Sequence, residues 1–249
     1  MSFTIEPTPG PEETQDALFG GRLHILQRKN GYRFSMDAVL LAKFATPAAG
    51  DRIIDLGTGC GVVSLVLALD PAPRCIVGLE VQSDLASLAR KNVRLNGMEE
   101  RIEIRTGDLK SVTQWYAPES FDLAVVNPPF GLPGSGRMNP TAEKAVARHE
   151  ILGSLKDFLR SAAFLVRFSG KLTIIYRAQR LAYLFQSLQT VGFTPKRLRM
   201  VHGRMETPAK MVLLTATKGG GQELRVEPPL ILFNRDGSYS DELKDLYRV

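Results

Sequence analysis

Short apolar runs alternate along this chain with longer segments whose apolar residues recur every three or four positions, and this alternation predicts an α/β fold. The runs are typical of buried strands, and the longer segments are typical of helices with one buried face. The predicted strands cover residues 53–56, 75–79, 102–104, 121–126 and 171–176, and the late segments 197–202 and 211–217 are expected to form a closing strand pair. The predicted helices cover residues 34–44, 62–69, 83–96, 151–166 and 180–190.

The predicted strand 121–126 ends in the tetrapeptide Asn127-Pro128-Pro129-Phe130. Two consecutive prolines stop a strand, because neither has a backbone N–H for a ladder hydrogen bond. The result is a rigid corner at the carboxyl end of a strand, where open α/β sheets bind ligands. The amide and the proline carbonyl can accept hydrogen bonds from an amine, and the aromatic ring can stack. The corner therefore suits a planar substrate with an exocyclic NH₂, such as adenine; a structural turn is an equal alternative at this point.

A glycine-rich turn, Gly57-Thr58-Gly59-Cys60-Gly61, follows the first of these strands and precedes a helix. Such a turn lets the backbone approach a ligand closely. Its spacing differs from the dinucleotide fingerprint, and the absence of a P-loop lysine argues against a triphosphate site. The next strand ends at Glu80, where an acid about 20 residues past the glycines can bind a ribose diol. The ordered series of turn, Glu80, Asp108 and Asn127 favours a cofactor site over a plain strand–helix turn.

These motifs resemble the class I S-adenosylmethionine-dependent methyltransferases over residues 50–217. The resemblance implies a doubly wound, mostly parallel Rossmann-like α/β sheet with a closing antiparallel strand, and S-adenosyl-L-methionine as cofactor. It implies that Gly57 and Gly59 approach the cofactor, that Glu80 holds its ribose, and that Asp108 lies beside its adenine. The corner at Asn127 resembles that of the subgroup that methylates exocyclic amines or amides, and Asn127 is expected to contact the cofactor as well.

A narrower resemblance covers both ends of the chain. Residues 19–23, 27–28, 31–41, 228–232 and 236–240 are similar to the tRNA adenine-N6 methyltransferases, which act beside the anticodon of a valine tRNA. This resemblance implies methyl transfer from S-adenosylmethionine to the N6 amine of an adenine in tRNA.

Three alternatives stay open at this point. An enzyme with the same corner could act on guanine N2 of ribosomal RNA or on a glutamine amide of a protein, and a non-catalytic RNA-binding protein could use the same fold. The protein-glutamine alternative would not need long basic stretches. A non-catalytic relative would be expected to have lost the glycines or Asn127.

The catalytic hypothesis assigns roles to the corner. Asn127 and Pro128 would accept the two N–H bonds of the target amine and so favour its reacting geometry. Pro129 and Phe130 would contact the base, with Phe130 stacking on it. Upstream, Asp55 is expected to contact the amino acid end of the cofactor; the alternative is a cap for the turn that follows it. Arg33 and Asp37 could close over the cofactor or form a surface ion pair, and the sequence does not decide between these.

The distribution of charge favours a polyanionic partner. The net charge is +6, and because residues 1–20 hold four acids and no Lys or Arg, the remainder carries +10. Residues 158–205 contain no acid and nine Lys or Arg, and residues 17–36 form a second acid-free stretch. We expect Arg197 and Arg199 to contact the tRNA. The alternative for any one charge is an ordinary solvated surface.

Length and composition predict one domain, a methyltransferase domain over residues 19–249 with a short C-terminal tail, after a mobile N-terminal segment 1–18 rich in proline and acids. Cys60 and Cys75 are expected to pack as small apolar residues, and three scattered histidines do not predict a metal site. No apolar run reaches membrane-spanning length, and the N-terminus lacks the basic start of a signal peptide. These features predict a cytoplasmic protein without a membrane segment; the oligomeric state stays open.

Overall fold

The computed structural model describes residues 9–30, 33–70, 73–129 and 153–248. Phe130 and the first two residues of the predicted helix 151–166 lie outside these ranges. The strands are β1 (Glu13–Leu18), β2 (Leu23–Arg28), β3 (Arg52–Leu56), β4 (Cys75–Glu80), β5 (Ile102–Thr106), β6 (Phe121–Val126), β7 (Val166–Arg177), β8 (Phe193–His202), β9 (Ala209–Lys218), β10 (Arg225–Val226) and β11 (Leu230–Ile231). The helices are α1 (Met36–Phe44), α2 (Val62–Ala68), α3 (Ser83–Leu95), α4 (Leu155–Leu165), α5 (Leu181–Thr190) and α6 (Asp241–Leu246).

The central sheet has the strand order β5-β4-β3-β6-β7-β9-β8, and the two short strands β10 and β11 both pair with β8. Strands β3 to β7 are parallel to one another, and β9 runs antiparallel to β7 and β8. The prediction of a doubly wound, mostly parallel sheet with a closing antiparallel strand is confirmed. Chain order reverses direction between β3 and β6, and a crevice at the carboxyl ends of the strands is expected there.

The register of the sheet brings the predicted site residues to one level. Leu56 at the end of β3 pairs with Val126 at the end of β6 and with Leu79 near the end of β4. The residues that follow these three positions therefore emerge side by side. This is why a glycine turn, an acid and an amide that are far apart in sequence meet at one edge.

Helices cover both faces of this sheet. One buried cluster joins α1, α2 and α3 to one face, and a second cluster joins α4 and α5 to the other. Phe121, Phe158 and Phe193 are among the largest fully covered side chains in the second cluster. Strands buried on two faces have continuous apolar sequences, which is why their positions could be predicted from the chain.

Residues 13–18 form strand β1, paired antiparallel with β2, instead of the end of the expected mobile segment 1–18. We expected a mobile segment because it is rich in acids, but two of these acids form ion pairs. Glu13 lies 2.5 Å from Lys91 Nζ, and Asp16 lies 2.9 Å from Arg33. The division of the chain into a mobile segment and one domain is otherwise still a prediction.

Two asparagines on α3 hold this hairpin against the main body. The Asn92 side chain accepts from Leu26 N at 2.7 Å and donates to Leu26 O at 3.0 Å, and Asn96 makes the same pair of bonds with the backbone of His24. Asn92 Nδ2 also donates to the carbonyl of Cys60 at 2.9 Å. The two side-chain amides form the hydrogen bonds that a further strand would make with the backbone of β2. Asn92 also connects β2 to the glycine turn.

The C-terminal segment returns along β8 to the N-terminal part of the fold. Leu243 of α6 is 1% exposed, and the Tyr247 ring stacks on Phe19 with centroids 5.8 Å apart. None of the helices in the described ranges is long and apolar enough to cross a bilayer.

Candidate active site

A cavity opens at the carboxyl ends of β3, β4 and β6, at the point where chain order reverses. Its space, including the open mouth, is about 700 Å³. Six of the predicted site residues line it together: Gly57, Gly59, Glu80, Asp108, Asn127 and Pro129. The structure thus brings the predicted series to one place.

The glycine turn is fixed by the neighbouring strand and by a helix above it. The backbone N–H groups of Gly57 and Thr58 both donate to Leu79 O, at 2.8 and 3.0 Å. Gly57 has φ +76°, and a Cβ at this position would lie 3.0 Å from Cε1 of Phe158. Only glycine combines this backbone conformation with such a close approach of α4.

Glu80 connects the glycine turn to the end of the second strand. Its side chain is buried, with Oε2 accepting from Gly59 N at 2.9 Å and Oε1 accepting from Gln82 N at 2.9 Å. A carboxylate has about four acceptor positions, so these bonds leave capacity for hydroxyl donors of a ligand. The contacts fix the carboxylate at the wall of the cavity before any ligand binds.

Asp55 does not line the cavity. It is buried under the turn, where Oδ2 accepts from Thr58 Oγ1 at 2.5 Å and from Ser64 Oγ at 2.8 Å. Burial raises its pKa to about 6; the two hydroxyl bonds oppose this shift, and the charge of Glu80 adds to it. Of the two interpretations of Asp55, these contacts support the cap for the turn.

Asn127 stands between two spaces. It lines the main cavity together with Glu80, and it also lines a smaller adjoining space with Phe34 and Ala38. The corner itself is packed, since Pro128 is buried whereas Asn127 and Pro129 are partly open. Pro128 does not line either space, and the predicted stacking residue Phe130 lies outside the described residues.

Comparison with known proteins agrees with this arrangement. A family model described as the methyltransferase small domain matches residues 35–191, more than half of the chain. The chain belongs to the methyltransferase small domain family.

Individual relatives cover most of its length. The chain is similar to the tRNA1(Val) (adenine(37)-N6)-methyltransferase of Tolumonas auensis, with 29% identity over 89% of this chain and 90% of that protein. It is similar to the protein of the same name from Porphyromonas gingivalis, with 30% identity over 77% of each. Among solved structures, it is similar to a predicted O-methyltransferase, Atu636 of Agrobacterium tumefaciens, with a TM-score of 0.69, 26% identity and coverage of 85% and 95%. The predicted resemblance is therefore confirmed.

Several wall residues of this methyltransferase were not predicted. Phe158 of α4 and Gln82 line the main cavity, and Phe34 lines the adjoining space. Behind the wall, a Cβ at Gly107 would lie 2.2 Å from Cη2 of Trp115, so the indole packs directly on the backbone beside Asp108. The sequence signals for these residues are weak, because an aromatic at a helical position is also typical of the core.

The two undecided residues near α1 do not form the pair considered for them. Arg33 donates to Asp16 Oδ2 and to Thr14 Oγ1, both at 2.9 Å, and so holds strand β1. In the described structure Arg33 forms its ion pair with Asp16. Of the residues between Arg33 and Asp37, Phe34 lines the adjoining space.

Arg197 and Arg199 lie on β8, three strands away from β6 in the sheet order. The Arg197 guanidinium lies 3.9 Å from the centre of the Phe44 ring and donates to its carbonyl, with Glu227 3.5 Å away. Arg199 donates to Pro228 O at 2.9 Å and to Glu242 at 2.5 Å. Both arginines therefore hold the C-terminal segment in the described structure, and their contact with tRNA stays a prediction.

The cysteine at the site is not suited to nucleophilic chemistry. Cys60 is buried, and burial raises the pKa of its thiol to about 12. In the part of the chain that the structure describes, no three His, Cys, Asp or Glu side chains come together as a metal site. The polar side chains of the described cavity wall include the amide of Asn127 and the carboxylates of Glu80 and Asp108.

Proposed function

We propose that this methyltransferase transfers a methyl group from S-adenosyl-L-methionine to the N6 amine of an adenine in tRNA, next to the anticodon. One observation supports the proposal most directly: Asn127, Glu80 and the glycine turn line the same cavity. The names of the relatives, which specify adenine 37 of a valine tRNA, support this substrate.

The residues present fit the cofactor. Glu80 offers a fixed carboxylate for the two hydroxyls of a ribose, as acids at this position of α/β sheets do. Asp108, with Leu109 and Phe158, forms a wall with apolar surface and one acid, which suits an adenine ring carrying an amine. Gly57 and Gly59 leave backbone exposed to the part of the cofactor that lies between ribose and methionine. Bound there, the cofactor supplies an electrophilic methyl group on a sulfonium.

Asn127 and Pro128 are proposed to act on the acceptor amine. The lone pair of an adenine N6 is delocalised into the ring, so the planar amine is a poor nucleophile. Two carbonyl acceptors placed beside its N–H bonds favour the pyramidal amine, which forms only as the nitrogen attacks. A new N–C bond forms as the S–C bond breaks, and the proton leaves the nitrogen for solvent afterwards. No strong general base is needed.

The remaining predicted site residues are proposed to support these roles. Asp55 holds the glycine turn through Thr58 and Ser64. Pro129 lines the cavity and is proposed, with Phe130, to contact the base. Arg197 and Arg199 are proposed to contact tRNA. Each would then either release the carboxylate that it pairs with in the free protein or bind that carboxylate and a phosphate together. A tRNA substrate also supports a cytoplasmic setting.

The direct test is to give the purified protein tRNA from a strain that lacks this gene, together with methyl-labelled S-adenosylmethionine. After digestion to nucleosides, the label is expected in N6-methyladenosine. The matched control is tRNA from the parent strain, which is already modified and should accept little label. Label in N2-methylguanosine, in glutamine of added protein, or in no product would contradict the proposal.

A further inference from the structure

A groove outside the cavity lies between α4 and α5. Its space, including the open mouth, is about 650 Å³, and its walls include Lys156, Leu159 and Arg160 from α4 with Tyr183 and Gln186 from α5. The floor is apolar at Leu159, whereas the rims are polar or basic. The function described above does not use this groove.

The groove is basic. Lys156 and Arg160 are exposed one helical turn apart, and neither makes a hydrogen bond or an ion pair with the residues that the structure describes. Arg180 lies 4.5 Å from the centre of the Tyr183 ring, which places a third cation behind the opposite wall, outside the lining itself. The nearest acid in sequence, Asp157, accepts from Ser154 N and Oγ at 2.8 Å each and is not part of the lining.

The groove and the active site share one helix. Phe158 of α4 lines the cavity, and the adjacent residues Leu159 and Arg160 line the groove. A helix with its side chains is about 10–12 Å across, so a chain in the groove would pass within about that distance of the cavity. Both α4 and α5 begin at the carboxyl edge of the sheet, where the target base must enter.

We propose that the α4–α5 groove binds the phosphate backbone of the RNA substrate, next to the nucleotide whose base enters the cavity. The inference rests on the proposed function, since it names where that RNA docks. Two exposed cations on one wall of a groove with no acid among its described lining residues suit a run of phosphodiesters. A protein partner is less favoured, because the cores of protein interfaces are depleted in charged residues, whereas Lys156 and Arg160 line this groove.

The test is tRNA binding by Lys156→Gln/Arg160→Gln, measured from 50 to 300 mM salt. Each phosphate contact contributes about 0.7–0.9 to the slope of log affinity against log salt, so the slope should fall by about 1.5. Affinity at low salt should fall about 10-fold or more. The charge-keeping variant Lys156→Arg/Arg160→Lys should bind almost as the parent does. Affinity for S-adenosylmethionine and the melting temperature should be unchanged in both.

A matched control removes two cations elsewhere. Arg74 precedes β4 and Arg94 lies in the last turn of α3, both exposed at the opposite edge of the sheet. Arg74→Gln/Arg94→Gln should keep the parent slope. If the parent methylates tRNA and the groove variant binds like this control, the groove proposal is overturned and the function stands. If the parent neither binds nor methylates tRNA, the proposed function itself is overturned.

Discussion

Glu80 accepts a hydrogen bond from the backbone N–H of Gly59 at 2.9 Å, across the gap between the ends of β4 and β3. The other oxygen of the same carboxylate accepts from Gln82 N. One side chain therefore fixes the position of the glycine turn relative to the second strand and also forms part of the cavity wall. We therefore expect cofactor binding to depend on the same group that shapes the cavity.

Replacing Glu80 tests this double role. Glu80→Ala is expected to weaken S-adenosylmethionine binding by about 1.5–3 kcal/mol, the cost of losing a charged hydrogen-bond acceptor. Isothermal titration calorimetry measures the loss directly. Glu103→Ala, which removes an exposed acid paired with Arg105 on β5, is the matched control and should bind as the parent does. Equal affinities for all three proteins would refute a role for Glu80 in the site.

Replacing Gly57 separates backbone strain from the shape of the site. An L-residue with positive φ costs about 1–2 kcal/mol, and Gly57→Ala also brings its Cβ to 3.0 Å from Phe158. Gly50 has φ +83° with no atom near its Cβ position, so Gly50→Ala should carry the backbone cost alone. We expect urea unfolding to show the larger loss for Gly57→Ala, and calorimetry to show weakened cofactor binding only there. Cofactor binding that falls equally in both variants would contradict this account of the turn.

The buried Asp55 predicts a dependence of stability on pH. Its pKa is raised from 3.8 to about 6, so the folded protein holds this proton to higher pH than the unfolded chain does. The resulting stability is fully present below about pH 3.8 and is lost as pH rises through 6, a change of about 3 kcal/mol. Asp55→Asn cannot titrate. Between pH 4 and pH 7 its free energy of unfolding should therefore rise by about 2.5 kcal/mol relative to the parent. A difference that stays constant with pH would show that Asp55 titrates normally.

Arg199 is expected to anchor the C-terminal segment through Glu242. Arg199→Ala should lower the free energy of unfolding by about 1–2 kcal/mol, and Glu242→Ala should act non-additively with it in a double-mutant cycle. Leu243→Ala loosens the same segment without changing charge. A salt slope of tRNA binding that falls with Arg199→Ala but not with Leu243→Ala supports a direct phosphate contact. If the two variants have equal salt slopes, Arg199 anchors the C-terminal segment and does not contact a phosphate.

The sequence predicted the middle of the sheet well, because strands β3 to β7 are covered on both faces and have continuous apolar runs. It also predicted most of the cavity, since Gly57, Glu80 and Asn127 directly follow or end such strands and parallel strands end at one edge. Boundaries were less accurate. Strand β7 begins at Val166, five residues before the predicted start at 171, and its register with β6 is irregular there.

What the sequence could not predict depends on long-range side-chain partners. The hairpin of β1 and β2 is held by Asn92, which is 66 residues from Leu26 and has no distinguishing local pattern. The acid-free stretch indicated a basic surface, but Arg197 and Arg199 meet acids from the tail, which lies beyond that stretch. Phe158 lines the cavity because α4 packs against Gly57. Helical periodicity in the sequence does not predict this packing.

The central claim is that Asn127 acts on the reacting amine. The most direct measurement is the single-turnover rate of methyl transfer to saturating tRNA by Asn127→Ala, with N6-methyladenosine quantified in the digest. The account predicts a rate about 10²-fold or more below that of the parent, with folding and S-adenosylmethionine affinity largely retained, because the Pro128-Pro129 corner is set by backbone sterics. A normal rate of N6-methyladenosine formation by Asn127→Ala would contradict it.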